Sequence, residues 1–151
     1  MSRIFNRTKT VRVPLTVSTS AYTANDVVGG LITVDVGSAG GGGILRKVVV
    51  TDSDNKKAAF TLHCFDSAPA TIADADAFAP TEASLIARHD VVTIAADDYV
   101  TINSMAQAVV RDLAVDFEVY NGYAYYYLVA TATPDYDTAD ALTLTLVYWM
   151  N

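Results

Sequence analysis

Glycine, histidine, aspartate and tyrosine occur in this chain at spacings that could do chemistry, and each spacing implies a different kind. Gly40-Gly41-Gly42-Gly43 would cradle a phosphate if a Gly-Lys-Ser/Thr ending followed it and opened a helix. Here the run opens the β-branched stretch Ile44 to Asp52, so it reads as a mobile hairpin loop. Two histidines, His63 and His89, are too few for a cupin-like metal centre. His63 shares a strand face with Thr61 and reads as a half-exposed strand residue. Asp52-Ser53-Asp54-Asn55 starts like a calcium loop but lacks the glycine and distal glutamate of an EF-hand. Asp74, Asp76 and the pair Asp97-Asp98 fall in expected loops. Turn formation is the expected role of these acids, because Asp and Asn side chains bond the nearby backbone; a loop-bound calcium is the alternative. No Gly-x-Ser-x-Gly elbow occurs. The expectation is a non-enzyme, with no catalytic residue, metal ligand or cofactor assigned.

The aromatic and basic residues point to contact rather than reaction. Tyr120, Tyr123, Tyr125, Tyr126 and Tyr127 crowd one hairpin across Asn121-Gly122, and Tyr136, Tyr148 and Trp149 follow. Strand alternation forbids Tyr125 and Tyr127 from sharing a face with Tyr126, so one set leaves the main core. Exposed rings of that kind serve protein interfaces or sugar platforms, unless they close the ends of the fold. Tyr123, Tyr125, Tyr127 and Trp149 are therefore the expected subunit or partner interface. Arg3, Arg7, Lys9 and Arg12 all precede Val13, and no acid occurs before Asp26. The ten basic residues less these four leave six against 17 acids in residues 13–151, a formal charge of −11. A basic arm on an acidic body results. Residues 1–12 are expected to be that arm, disordered in the free protein, with Ile4 and Phe5 as its apolar anchor and residues 13–151 as the folded domain.

The elements that must position these groups read as strands. Val11, Val13, Leu15 and Val17 alternate with polar residues, and Pro14 marks that run as an edge or a bulge, since proline cannot donate to a ladder. Similar alternation occurs at 32–36, 60–65, 91–95, 99–103, 114–120 and 124–133. In the last stretch, Leu142, Leu144, Leu146 and Tyr148 face one way, Thr143 and Thr145 the other. Helical signal is weak: Thr81 can cap a short turn through Ile86, and Ser104-Met105-Ala106-Gln107 matches a capping box. Residues 68–80 read as the longest loop. The expected fold is all-β, a single antiparallel β-sandwich of jelly-roll type with about 8–9 strands. Its expected core comprises Val13, Leu15, Val34, Val48, Val50 and Phe60, together with Leu62, Ile94, Ile102, Phe117, Val119, Leu144 and Leu146.

Composition agrees with one self-sufficient domain. The 151 residues are 52% hydrophobic and 18% charged, which excludes intrinsic disorder. One cysteine, Cys64, rules out an internal disulfide. A net charge of −7 argues against general nucleic-acid binding. No signal-peptide-like stretch or membrane-span-length apolar window is read, so neither nucleic acid nor membrane is an expected partner.

Several phrases, taken in order, resemble a known class. Tyr22-Thr-Ala-Asn-Asp-Val-Val-Gly-Gly-Leu31 and the Gly-rich entry into Ile44–Thr51, then Asp52-Ser-Asp-Asn-Lys56, are similar to small virion proteins of tailed phages and prophages. Phe65-Asp-Ser-Ala-Pro69, Phe78-Ala-Pro80-Thr81, Ala95-Ala-Asp-Asp-Tyr99 and Thr133-Pro-Asp-Tyr136 continue the likeness in order and spacing. The resemblance covers most of the chain from Tyr22 onward and is to head decoration, or cement, proteins. It implies a non-enzymatic structural protein on the outer capsid surface, present in the host cytoplasm during assembly. The implied partners are the major capsid protein and further copies of the chain, as a homotrimer. The arm before Val13 and the tyrosine-rich hairpin lie outside the common pattern; from the charge distribution, the arm residues Arg3, Ile4, Phe5, Arg7, Lys9 and Arg12 are the expected capsid-binding site. A carbohydrate-binding module that stacks sugars on Tyr123, Tyr125, Tyr127 or Trp149 is the alternative, as is a tail or neck component.

Overall fold

The computed structural model describes residues 7–37, 41–119 and 121–151. Among the described residues the strands are β1 (Arg7–Pro14), β2 (Val27–Asp35), β3 (Gly42–Asp52), β4 (Phe60–Phe65), β5 (Arg88–Ile94), β6 (Tyr99–Ile102), β7 (Met105–Val110), β8 (Val115–Glu118), β9 (Tyr123–Ala130) and β10 (Leu142–Met150), with an α-helix, α1 (Glu82–Ala87), between β4 and β5 and a 3-10 turn (Ala96–Asp98) between β5 and β6. They form two antiparallel sheets. One runs β1-β10-β3-β7-β6, with β8 also on β3, and the other runs β2-β9-β4-β5. The arrangement is all-β and β-sandwich-like, with ten strands among the described residues where about eight or nine were expected.

Alternation builds the core between the sheets. Leu142, Leu144, Leu146 and Tyr148 are buried, as are Val48 and Val50 beside them on β3. Val34, Phe60, Leu62, Ile94, Tyr126 and Leu128 meet them from the second sheet in one continuous cluster. At the centre the Tyr126 and Tyr148 hydroxyls bond one another at 2.8 Å. Burial disfavours the phenolate and so raises both groups above the usual phenol range. Of the expected core, Val13 is only partly buried on the edge strand. Ile102 is a correction: it is 57% exposed, because β6 ends its sheet and Ile102 pairs with Met105 on the outward face.

Two further expectations change. The capping-box pattern at Ser104 forms no helix: Asn103 and Ser104 both take left-handed backbone, φ 51° and 64°. Two such residues make the tight turn that suits a right-twisted hairpin, so Met105–Val110 returns as β7 between β6 and β3. The boundary at residue 12 also moves. Arg7 to Pro14 pair continuously with β10, from Arg7↔Met150 to Pro14↔Thr143, so the arm's Arg7, Lys9 and Arg12 belong to the folded body. Pro14 does lie on an edge strand, as its missing donor requires. Thr81 caps α1 as expected, its hydroxyl accepting from the Ser84 amide at 3.2 Å.

Candidate functional site

The outer sides of the two sheets are treated differently by the chain. On the β2-β9-β4-β5 sheet, Val27, Phe65, Tyr125, Tyr127 and Val129 point away from the main core into a second apolar cluster with Ile72, Phe78 and Ala87. The segment 66–81 lies over them. Its backbone is tied down by Val27 donating to the Asp76 carbonyl at 2.8 Å, Ala75 donating to the Val27 carbonyl at 2.8 Å, and Phe78 donating to the Asn25 carbonyl at 2.8 Å. The Tyr127 hydroxyl donates to the Ala70 carbonyl at 2.7 Å and accepts from the Ile72 amide at 2.8 Å. The Asp74 carboxylate accepts from the Tyr22 hydroxyl at 2.6 Å and the Gly29 amide at 2.7 Å. Gly29 has φ +81°, in the left-handed region, and a Cβ there would come within 3.2 Å of Leu15, so the bend in β2 needs glycine.

This burial corrects the expected tyrosine interface. Tyr125 and Tyr127 are 7% and 0% exposed; Tyr127 is held under the chain's own loop and Tyr125 packs in the same cluster, its hydroxyl accepting from the Asn121 side chain, so neither ring is open as a subunit boundary or a sugar platform. Tyr123 and Trp149 stay open, and Arg46 lies over the Trp149 ring at 4.3 Å. Tyr120 lies outside the described residues, as do Arg3, Ile4 and Phe5.

Among the expected chemical groups, His63 sits under the covering loop. Its ring is 4.4 Å from Phe78, one nitrogen meets the Thr61 hydroxyl at 3.1 Å, and the other faces the Arg88 guanidinium at 3.2 Å. Burial and then the Arg88 charge pull its pKa down to about 4. It is buried rather than half-exposed, and neutral near pH 7. His89 lies 3.6 Å from Asp66. The acids of the calcium-like stretch serve turns. Asp52 accepts from the amides of Asp54, Lys56 and Lys57. Asp54 accepts from the Asp137 and Thr138 amides and the Thr138 hydroxyl, which holds its carboxyl below the usual range despite desolvation.

Among the described residues, no segment covers the β1-β10-β3-β7 face in this way. A groove of about 530 Å³ runs across it. Its floor is Val49, Val109 and Val147, and its polar lining is Thr10, Thr51, Thr143, Thr145 and Gln107. Three cations, Arg12, Lys47 and Arg111, lie among these, and no acid lines it. None of the three makes an ion pair within the described residues. An apolar notch of about 180 Å³ shares Thr51 and Gln107 with the groove and adds Ile102, Met105 and Ala106. Beyond the groove's other end, Asp116 on β8 pairs with Ile44.

Strand register explains how the cations reach this face. Val147 pairs with Lys47 but Tyr148 pairs with Leu45, so Arg46 is the extra residue of a bulge. Leu45 and Val48 are buried while Arg46 and Lys47 both stay partly exposed; a bulge puts two successive side chains outward where strict alternation would bury one. Arg12 reaches the face by pairing with Thr145, whereas Arg7 and Lys9 pair with the buried Met150 and Tyr148 and lie on the opposite side of β1. The expected basic site is thus split by alternation. Sequence reasoning missed Lys47 and Arg111. A signal existed for the first: continuing the alternation back from Val48 would bury Arg46, a conflict that only a bulge resolves. Compared with protein family models, curated proteins and solved structures, the chain matches none.

Proposed function

We propose that the fold is a jelly roll and that the chain is a non-enzymatic structural protein of a tailed-phage virion, decorating and stabilising the head. Strand order supports the first part. With β6 and β8 set aside, the remaining eight strands in chain order read 1-8-3-6 in one sheet and 2-7-4-5 in the other. First pairs with last, second with second-last, and so inward to β4 with β5. That is one long antiparallel ribbon folded at its middle and wrapped, the double Greek key layout of a jelly roll.

Jelly rolls serve viral coats, lectins and cupins alike, so the site must choose among them. The observation that carries the virion reading is the open, cation-bearing groove that the described residues form on a body of net charge −7. It is a docking surface held on a rigid sheet, and the ordered phrases between Tyr22 and Tyr136 resemble small virion proteins. In this reading the partner is the major capsid protein and the place is the outer head surface, reached from the host cytoplasm during assembly. Copies of the chain associate as a homo-oligomer, the number three coming from the resemblance alone. Particles purified from cells that encode this chain should bind gold-labelled antibody to it over the head surface, many labels per particle. Label confined to the tail or neck, or washed particles free of the chain, overturns the proposal.

A further inference from the structure

We infer that the groove between Arg12, Lys47 and Arg111 is the attachment site itself, and that its occupant is an acidic stretch of polypeptide on the partner's surface. The inference deepens the virion reading and rests on it only for the source of that polypeptide.

Charge is the first ground. The chain carries 17 acids against ten basic residues, yet three cations converge on a groove whose lining includes no acid. Lys56, by contrast, is 3.1 Å from Asp137, and Arg88 faces His63. Unpaired cations gathered on one face of an acidic protein steer a local negative group to that face and repel a positive one. Two of the three are arginines, whose guanidinium matches a carboxylate with two parallel hydrogen bonds.

The lining is the second ground. Thr10, Val49, Thr51, Val109, Thr143 and Val147 are all β-branched, so they are stiff at χ1. Binding here loses little side-chain entropy. The floor is aliphatic, and the adjoining Ile102–Met105 notch offers an apolar seat. A polypeptide with carboxylates and an apolar side chain meets both parts. Nucleic acid fits worse: an extended polyanion would also meet the acidic body, and among the described residues no aromatic ring lines the groove itself, while Trp149, farther along the same side of β10, has Arg46 over its ring. The lack of a ring in the groove also disfavours a sugar platform.

Size is the third. Four strands at about 4.8 Å spacing, and roughly 20 Å of strand length, give a face of about 400 Å². That is about half of the roughly 800 Å² per partner in a standard interface. One copy therefore binds weakly, and several copies on a repeating surface bind through effective concentration.

The test uses the full chain and two probes, poly-L-glutamate and phage heads lacking the protein, with single-stranded oligo-dT as a third arm. The variant Arg12→Glu/Lys47→Glu/Arg111→Glu is compared with Arg7→Glu/Lys9→Glu/Lys57→Glu, which has the same net charge but leaves the groove intact. A third variant, Arg12→Gln/Lys47→Gln/Arg111→Gln, guards against misfolding caused by reversed charge. Circular dichroism and thermal midpoints establish that each is folded. The groove reversal should weaken binding to poly-L-glutamate and to heads at least about tenfold. The glutamine variant should weaken it less and flatten its salt dependence, and the matched control should bind more tightly than the groove reversal. Equal binding by the groove reversal and its control overturns the inference, as does a wild-type chain that binds neither poly-L-glutamate nor heads. Tighter binding of oligo-dT than of poly-L-glutamate through the same residues overturns the occupant and replaces it with nucleic acid. Wild-type binding to poly-L-glutamate but not to heads leaves the groove standing and removes the virion reading.

Discussion

The outward residues of the β2-β9-β4-β5 sheet include Phe65, Tyr125 and Tyr127 in a cluster with Ile72 and Phe78 of the segment 66–81, whereas those of the β1-β10-β3-β7 sheet are mostly Thr, Val, Gln and cations, with Trp149 at one end, and form an open groove among the described residues. Both sheets bury their inner sides in the same core, so the contrast is confined to the outer sides. Its cause is side-chain area. An aromatic ring buries about 150–250 Å², and leaving several bare would expose an apolar patch of the kind that associates unselectively. Threonine and valine present little apolar surface each and can stay wet. The covered face belongs to stability. The open face carries the proposed partner site.

The comparison breaks first at Tyr127. Tyr127→Ala empties a fully buried site and frees the Ala70 and Ile72 backbone groups. It should cost about 3–5 kcal/mol, read from the denaturant midpoint. A loss below about 1 kcal/mol would mean that the segment 66–81 is dispensable and that the two faces do not differ in kind. Asp74→Ala removes the acceptor of the Tyr22 hydroxyl and the Gly29 amide, and should cost about 1–3 kcal/mol. Tyr22 itself should then titrate closer to an ordinary phenol, since the Asp74 bond is, after burial, the next cause raising it.

A pH experiment sharpens the same contrast. His63 has its folded pKa lowered to about 4 from 6.5, so the unfolded chain binds the proton more readily. Stability from this group is full above pH 6.5 and is lost as pH falls toward 4. The thermal midpoint of the wild type should therefore drop more steeply across that window than that of His63→Gln. Parallel curves would show that the loop does not hold His63 neutral. Val100→Lys is the smallest expected effect. Val100 is 62% exposed on the bare side, and the change should fall within about 0.5 kcal/mol in the free protein. A large loss would show that something already covers that face.

Much of this was legible in the residues. The alternation from Leu142 to Tyr148 specifies which side of β10 is buried, because a strand has only two faces and one of them is apolar. Pro14 announces an edge, and Thr81 announces the start of α1, since each follows from a single backbone donor that is missing or must be capped. The capping-box pattern misled because Ser104 and Gln107 also fit a hairpin, and local pattern does not reveal that Asn103 and Ser104 adopt positive φ. The candidate site was less legible. Local sequence groups Arg12 with a basic arm although it belongs to β1, and nothing adjacent to Arg111 in the chain marks it out among scattered cations.

By itself the sequence determined an all-β domain, the period of its strands, its acidic body and the surplus of tyrosines on one hairpin. These are properties of neighbours along the chain. Which tyrosines would be covered was decided only when the segment 66–81 folded back over β9, with Tyr127 bonded to residues 55 and 57 positions away in sequence. The gathering of Arg12, Lys47 and Arg111 was likewise decided by pairings of β1, β3 and β7 through β10 and β3, and by one bulge at Arg46. Strand order and register bring distant residues to one face, and neither is encoded in any short stretch of chain.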